Sequence, residues 1–480
     1  FDLDAQAPDL ALYLPAALQL QNHAAIPISL RTTGTVTPDD WHLKTLQLDS
    51  IQAVISGNGL LERDGDEFID SHLDAEIKIA NLSPFSSWLA RPLPDQDLQL
   101  SVELDSRAGV LLVEQLEMLS GDSDLSVTGR ATNPSFPELT LAGQSQLINL
   151  APWIRTFTTG KAGMATETAP AHTTLPVAQL IPDYPISFDA WKGFEADISL
   201  DIDSLTGLVR PLEDLQSAFS LQRDGLRVDE LSFDDGVNGS VALTGSLVDQ
   251  DKTPQLDLAL TGESLIYGIP KAPEEDVDAL PSYDVKLRLT GSGQTTRTLA
   301  SSLNGYLNLA MGSGHILNTG FDRLSNTFLQ ELSNALNPFK EQQAMTAIDC
   351  AAVFNTIENG QAFGKPSIVV DTPKVKILAD THVSFDTEKV KASFKTIPQK
   401  GLGINLSSLV NPFVEVTGTL SAPRISLNPA NTVVGGSLAV VTGGISLLLR
   451  SVLERLSTGG NICAKRLQKA NEAMAELDST

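Results

Sequence analysis

Basic charge is scarce in this chain. Lys and Arg number 33 against 59 Asp and Glu over 480 residues, a formal net charge of -26. Nucleic-acid binding needs clustered cations to neutralise phosphates, so it is excluded as a main role. Electrostatic adhesion to an anionic membrane surface is disfavoured for the same reason. Aromatic residues supply only 5 % of the chain, so its hydrophobic 42 % is mostly Leu, Ile, Val and Ala. The 6 histidines are scattered, with no His-Glu-x-x-His and no pair at metal-ligand spacing. Also missing are Cys-x-x-Cys, a phosphate-cradling Gly-rich loop and a Gly-x-Ser-x-Gly elbow. Nothing assembles a nucleophile, a base and an oxyanion donor, so neither enzymatic activity nor a cofactor is expected.

Cysteine is nearly absent, with only Cys350 and Cys463. They are either two separate buried thiols or one pair. Pairing would close a long loop, stabilising the fold by roughly 4–5 kcal/mol in the chain-entropy model, and would imply an oxidising compartment. The chain begins at Phe1 without a methionine or a visible signal peptide, and reads as a fragment or processed form.

What the chain does have is a recurring strand phrase. Four to seven residues alternate apolar and polar, often followed by Thr-Gly and a turn. Ile198-Ser199-Leu200-Asp201-Ile202-Asp203 carries the alternation, and Thr-Gly stands at Thr128-Gly129, Thr244-Gly245, Thr261-Gly262, Thr290-Gly291 and Thr417-Gly418. Strand side chains alternate between faces, so each phrase predicts a ribbon with one apolar and one polar face. The phrase Asn-Leu-x-Pro follows a strand twice, at Asn81-Leu82-Ser83-Pro84 and Asn149-Leu150-Ala151-Pro152, which supports an internal repeat. At the first copy, Ser83 is expected to cap a helical turn with Pro84 at its first position.

The predicted class is mainly β: a long, curled, mostly antiparallel sheet of repeated strands forming an apolar groove, with a few helices near the C-terminus. Residues 1–155 read as an N-terminal repeated-strand region. Residues 156–185 read as a loop or linker rich in Thr, Ala, Gly and Pro. Strands resume over 186–425, with a helix near 321–337, and 426–480 forms a helical tail. Residues 432–449 are uncharged and reach the lower length limit of a membrane span, but their paired glycines favour a buried or membrane-touching helix. The acidic run Glu274-Glu275-Asp276-Val277-Asp278 lacks EF-hand spacing and reads as a solvated loop. Gly121-Asp122-Ser123-Asp124-Leu125 superficially resembles an esterase string, yet lies between two strand phrases and reads as a tight turn.

The remaining candidate site is the apolar face itself. Ile198, Leu200, Ile202, Val241, Leu243, Leu256, Leu258, Leu260, Val285, Leu287 and Leu289 either fill a sandwich core or line an open groove for acyl chains. Alternation alone does not separate these readings. Candidate covering helices are few, and the compact rhythm of a seven-stranded sandwich is missing, which favours the groove.

The order of phrases over 186–311 resembles the AsmA-like family. Leu289-Thr290-Gly291-Ser292-Gly293 leads to Ser302-Leu303-Asn304-Gly305, then a strand and Gly312-Ser313-Gly314. Further on, Val414-Glu415-Val416-Thr417-Gly418-Thr419-Leu420-Ser421-Ala422-Pro423 resembles that family's "Val-x-Val-x-Gly-Thr-Leu-x-x-Pro". The likeness covers 186–475 well and 1–155 loosely. It implies a periplasmic protein of the Gram-negative envelope, anchored in the inner membrane by an N-terminal helix that this chain lacks. It also implies pairing of Cys350 with Cys463, and transfer of phospholipid between inner and outer membranes, with possible outer-membrane contact. A non-enzymatic periplasmic scaffold, assisting assembly of outer-membrane protein or lipopolysaccharide, is the alternative.

Overall fold

A computed structural model describes residues 1–7, 27–37, 40–50, 53–64, 67–87, 92–107, 109–132, 136–156, 179–189, 192–208, 210–266, 280–317, 345–399, 413–428 and 461–478. The acidic run at 274–278, the helix expected near 321–337 and the stretch 432–449 lie outside these residues. No helix among the described residues is long and apolar enough to cross a membrane.

The chain packs as two units, one of Phe1–Thr173 with Phe188–Gly236 and one of Thr174–Ser187 with Val237–Thr480. The first contains β1 (Asp2–Ala7), β2 (Ile28–Val36), β3 (Asp40–Ser50), β4 (Ala53–Asp64), β5 (Glu67–Ile79), β6 (Leu98–Arg107), β7 (Val110–Ser120), β8 (Ser123–Thr132), β9 (Glu138–Asn149), β10 (Glu195–Thr206), β11 (Leu212–Gln222) and β12 (Gly225–Asp234). Strands β1 to β9 form an antiparallel meander, with each strand paired to the next. The β9–β10 pair is parallel, and β11 and β12 resume the antiparallel order.

The second unit contains β13 (Ser240–Gln250), β14 (Thr253–Ile266), β15 (Ser282–Ser292), helix α1 (Thr296–Ser301), β16 (Asn304–Met311), β17 (Gly314–Leu317) and β18 (Met345–Ile348). There follow β19 (Cys350–Glu358), β20 (Gln361–Asp371), β21 (Val375–Ser384), β22 (Val390–Pro398), β23 (Phe413–Thr419), β24 (Ala422–Asn428) and helix α2 (Ile462–Asp478). Strands β17 and β18 pair separately. The other 22 strands belong to one long, mostly antiparallel sheet that does not close into a barrel. The chain is therefore mainly β with few helices, one of them near the C-terminus, as the alternation predicts.

Two local expectations need correction. Thr290-Gly291 and Thr417-Gly418 each stand one residue from the end of a strand, but other pairs do not: Thr244-Gly245 lies midway along β13, and Thr261-Gly262 is followed by four more residues of β14. Gly245 and Gly262 sit on the apolar face, where neighbouring side chains approach the space of a missing Cβ. A Cβ on Gly262 would come within 2.7 Å of Leu265 and 2.8 Å of Val285. Nor does Ser83 cap the turn after β5. Asn81 does so, its Oδ1 accepting the Ser83 N–H at 2.8 Å ahead of a 3-10 turn at Ser83–Ser87. Asn149 Oδ1 accepts the Ala151 N–H in the same way at 3.0 Å. The repeated Asn thus begins each turn by a side-chain bond to the backbone two residues on.

Residues 179–187 are held against the second unit. Pro185 bridges to Thr295, and the Ile186 N–H donates to Gln294 O. Glu388, only 2 % exposed, accepts the N–H groups of Leu180 and Ile181 on its two carboxylate oxygens at 3.0 and 2.7 Å. Arg297 donates to Asp386 O, Ile181 O and the Gln179 side chain.

Candidate functional site

Register converts the strand phrases into rows that cross the sheet. In the first unit, Leu30, Leu48, Ile55, Ile77, Leu100, Met118 and Leu125 are successive partners across β2 to β8. All seven are half-buried. The adjacent row on the opposite face is polar throughout: Gln47, Ser56, Glu76, Ser101, Glu117, Ser126, Gln144, Asp201 and Gln216. Directly opposed residues share a face, so the separation of apolar from polar is maintained strand after strand.

Ile198, Leu200 and Ile202 of β10 lie on the apolar face. Leu200 is in register with Gly143 of β9 and Ser217 of β11, and its side chain occupies the space above Gly143. Ile202 is buried, while Ile198 and Leu200 are half-buried. Asp201 and Asp203 are exposed on the other face.

The second unit gathers the other eight candidates onto one face. Leu243, Leu260, Leu287 and Leu307 form one row, and Gly245, Leu258, Leu289 and Gly305 the next. Leu256 stands opposite Gly291, and Val241 and Val285 flank Gly262. Every one of the eight is half-buried, whereas Ala242, Thr244, Asp284 and Lys286 on the reverse face are exposed. At one end the face is closed by α1 and the residues after it, since Gly291 lies against Leu299, Ser302 and Leu303. The Val241–Gly262–Val285–Leu309 row continues through Val353, Ile368, Ala379, Phe394 and Val414. Exposure falls along it, because Ala379, Phe394 and Val414 are buried in a cluster with Ala392 and Val416.

On the reverse face of β16, β19 and β20 lies α2. Asn461 Oδ1 accepts the N–H groups of Cys463 and Ala464 and caps the helix. A Cys350–Cys463 disulfide joins the first helical turn to the start of β19. Cys350, Ala352, Val369, Leu378 and Ile462 pack around it, and Tyr306, Phe354, Ala470 and Met474 form the next cluster along. Arg466, 8 % exposed, lies over the Phe354 ring and donates to Phe354 O at 3.1 Å. Burial lowers its pKa. Tyr306 donates to the Asp478 carboxylate, and burial followed by that negative charge raises the phenol pKa.

Sequence reading missed one charged cluster, on the polar face of the first unit. His72, Asp74 and Glu103 offer ligand atoms within 4.8 Å of one another, beside an open depression of about 600 Å³ that Asp74, Glu76, Glu103 and Glu117 help to line. Both ring nitrogens of His72 are already engaged, Nδ1 with Asp105 at 2.6 Å and Nε2 with Asp74 at 3.2 Å. The bond to Asp105 is the main cause that raises the His72 pKa, and the same bond lowers that of Asp105. His72-x-Asp74 was the available signal, but its meaning depends on β6 lying alongside. Ser123, in the esterase-like string, is buried, and its Oγ accepts the Asn149 N–H at 2.9 Å. That serine holds a turn.

Comparison with protein-family models, curated proteins and solved structures finds no match for this chain.

Proposed function

We propose that this chain binds phospholipid acyl chains along its apolar sheet face and carries them between the inner and outer membranes of a Gram-negative envelope, with no chemical step. The observation that carries this reading is the half-buried aliphatic surface of β13 to β16, whose rows pass from strand to strand without a charged side chain. A diacyl lipid has about 30 methylenes, each costing about 0.8 kcal/mol to expose, so crossing water unaided costs on the order of 20 kcal/mol. A smooth aliphatic lane removes most of that barrier. The lane needs no catalytic groups, while the exposed polar face keeps the protein in water. The Cys350–Cys463 disulfide supports an oxidising compartment such as the periplasm.

Purification without detergent, followed by organic extraction and mass spectrometry, tests the reading. Phospholipid in at least equimolar amount is expected. Lipid-free protein that also takes up none from vesicles would overturn it.

A scaffold role is the second reading, favoured by the fate of β19 to β22, where the same kind of apolar surface closes into a core. Under that reading Leu258→Asp or Leu287→Asp unfolds the protein. Under the lipid reading each variant stays folded and loses lipid.

A further inference from the structure

The Leu243–Leu260–Leu287–Leu307 row ends on a polar residue, Asn355 of β19, which is in register with Leu307 and on the same face. Asn355 Oδ1 accepts from Ser367 Oγ at 2.6 Å and from Thr381 Oγ1 at 2.8 Å, and the two hydroxyls are 2.7 Å apart. Ser367 is fully enclosed, at 0 % exposure. It reaches Asn355 because the register shifts between Val353 and Thr356 on β19 and between Gly364 and Ile368 on β20. Such bulges re-aim side chains. With Oδ1 committed to the two hydroxyls, Nδ2 is turned away from them, and among the described residues it meets no acceptor.

Nδ2 is not among the enclosed, unpartnered polar atoms and stays open to water; an acyl chain laid along the row would displace that water and leave the two donors in need of an oxygen acceptor. Asn355, Ser367 and Thr381 carry no charge. They match a neutral carbonyl oxygen better than a phosphate, which favours charged donors. From β13 to β19 the row crosses four inter-strand steps, about 19 Å at about 4.8 Å each.

We propose that Asn355 Nδ2 donates to the ester carbonyl of an acyl lipid whose chain lies along the Leu307, Leu287, Leu260 and Leu243 row. This rests on the acyl-chain reading above and adds to it a ligand class, acyl esters, and a direction along the lane.

The test compares phosphatidylcholine with ester-linked chains against its diether analogue, which keeps the chains and headgroup but lacks the carbonyls. Binding to the full chain is measured with fluorescent versions of both. The ester lipid should bind about threefold to tenfold more tightly, the effect of one hydrogen bond. Asn355→Leu should bring ester affinity down to that of the ether and leave ether affinity unchanged. Asn355→Asp keeps the acceptor for Ser367 and Thr381 while removing the donors, and should do the same if the Leu variant fails to fold. Equal wild-type affinity for the two lipids, or unchanged discrimination in a folded variant, overturns this inference and leaves the acyl-chain reading standing. Binding of neither lipid overturns both.

Discussion

Strands β13 to β15 and strands β19 to β22 belong to one unit, but they use apolar residues differently. In the first group only one face is aliphatic, and its side chains are half-buried. In the second group α2 buries Ala352, Phe354, Val369 and Leu378 on one side, and the opposite face, half-buried at Val353 and Ile368, closes over β21 and β22, where Ala379, Ala392 and Phe394 are buried with Val414 of β23. One sheet therefore contains a core that holds the fold and a surface that remains partly open. This difference is what makes a binding role physically reasonable for β13 to β16, because stability has another source.

Breaking the closed region should have the largest effect. Val369 is 0 % exposed, so Val369→Asp would bury a charge with no partner at a cost of several kcal/mol, and thermal denaturation should find the second unit unfolded. Cys463→Ser removes the tie between α2 and β19 and should cost about 2–4 kcal/mol by denaturant titration. On the open side, Leu287→Asp should cost no more than about 1–2 kcal/mol because its side chain already meets solvent, yet abolish lipid uptake. A loss equal to that of Val369→Asp would erase the distinction between the regions.

The smallest effect concerns the His72–Asp105 pair of the first unit. Its bond raises the His72 pKa above the ordinary 6.5, so the stability it contributes is fully present below about pH 6.5 and lost as pH rises through the folded-state value. The Asp105 contribution has the opposite sense, present above its ordinary 3.8 and lost in acid. His72→Gln should therefore lower Tm in mildly acidic buffer and leave it nearly unchanged at alkaline pH.

Much of this contrast was legible in the chain. Strict alternation in Val241-Ala242-Leu243-Thr244 marks a strand with one apolar face, whereas the unbroken runs Ala351-Ala352-Val353-Phe354 and Ile368-Val369-Val370 mark strands apolar on both faces, of which the side under α2 is the buried one. The alternation placed every candidate lane residue on the apolar face. It could not supply what depends on register: the meeting of Asn355 with Ser367 and Thr381 across two bulges, the His72–Asp105 contact, and the parallel β9–β10 pair. Nor did the Thr-Gly phrases reveal that Gly129 and Gly262 mark gaps filled by a neighbour's side chain within a strand.

Site-specific photocrosslinking can show which face of the sheet meets lipid. A benzophenone side chain placed at Leu258 or Leu287 on the lane, and at Lys286 on the reverse face, is irradiated in the folded full chain with radiolabelled phosphatidylcholine vesicles. Lipid adducts are expected at Leu258 and Leu287 and none at Lys286. Equal labelling at the three positions, or none at the two lane positions, would contradict it.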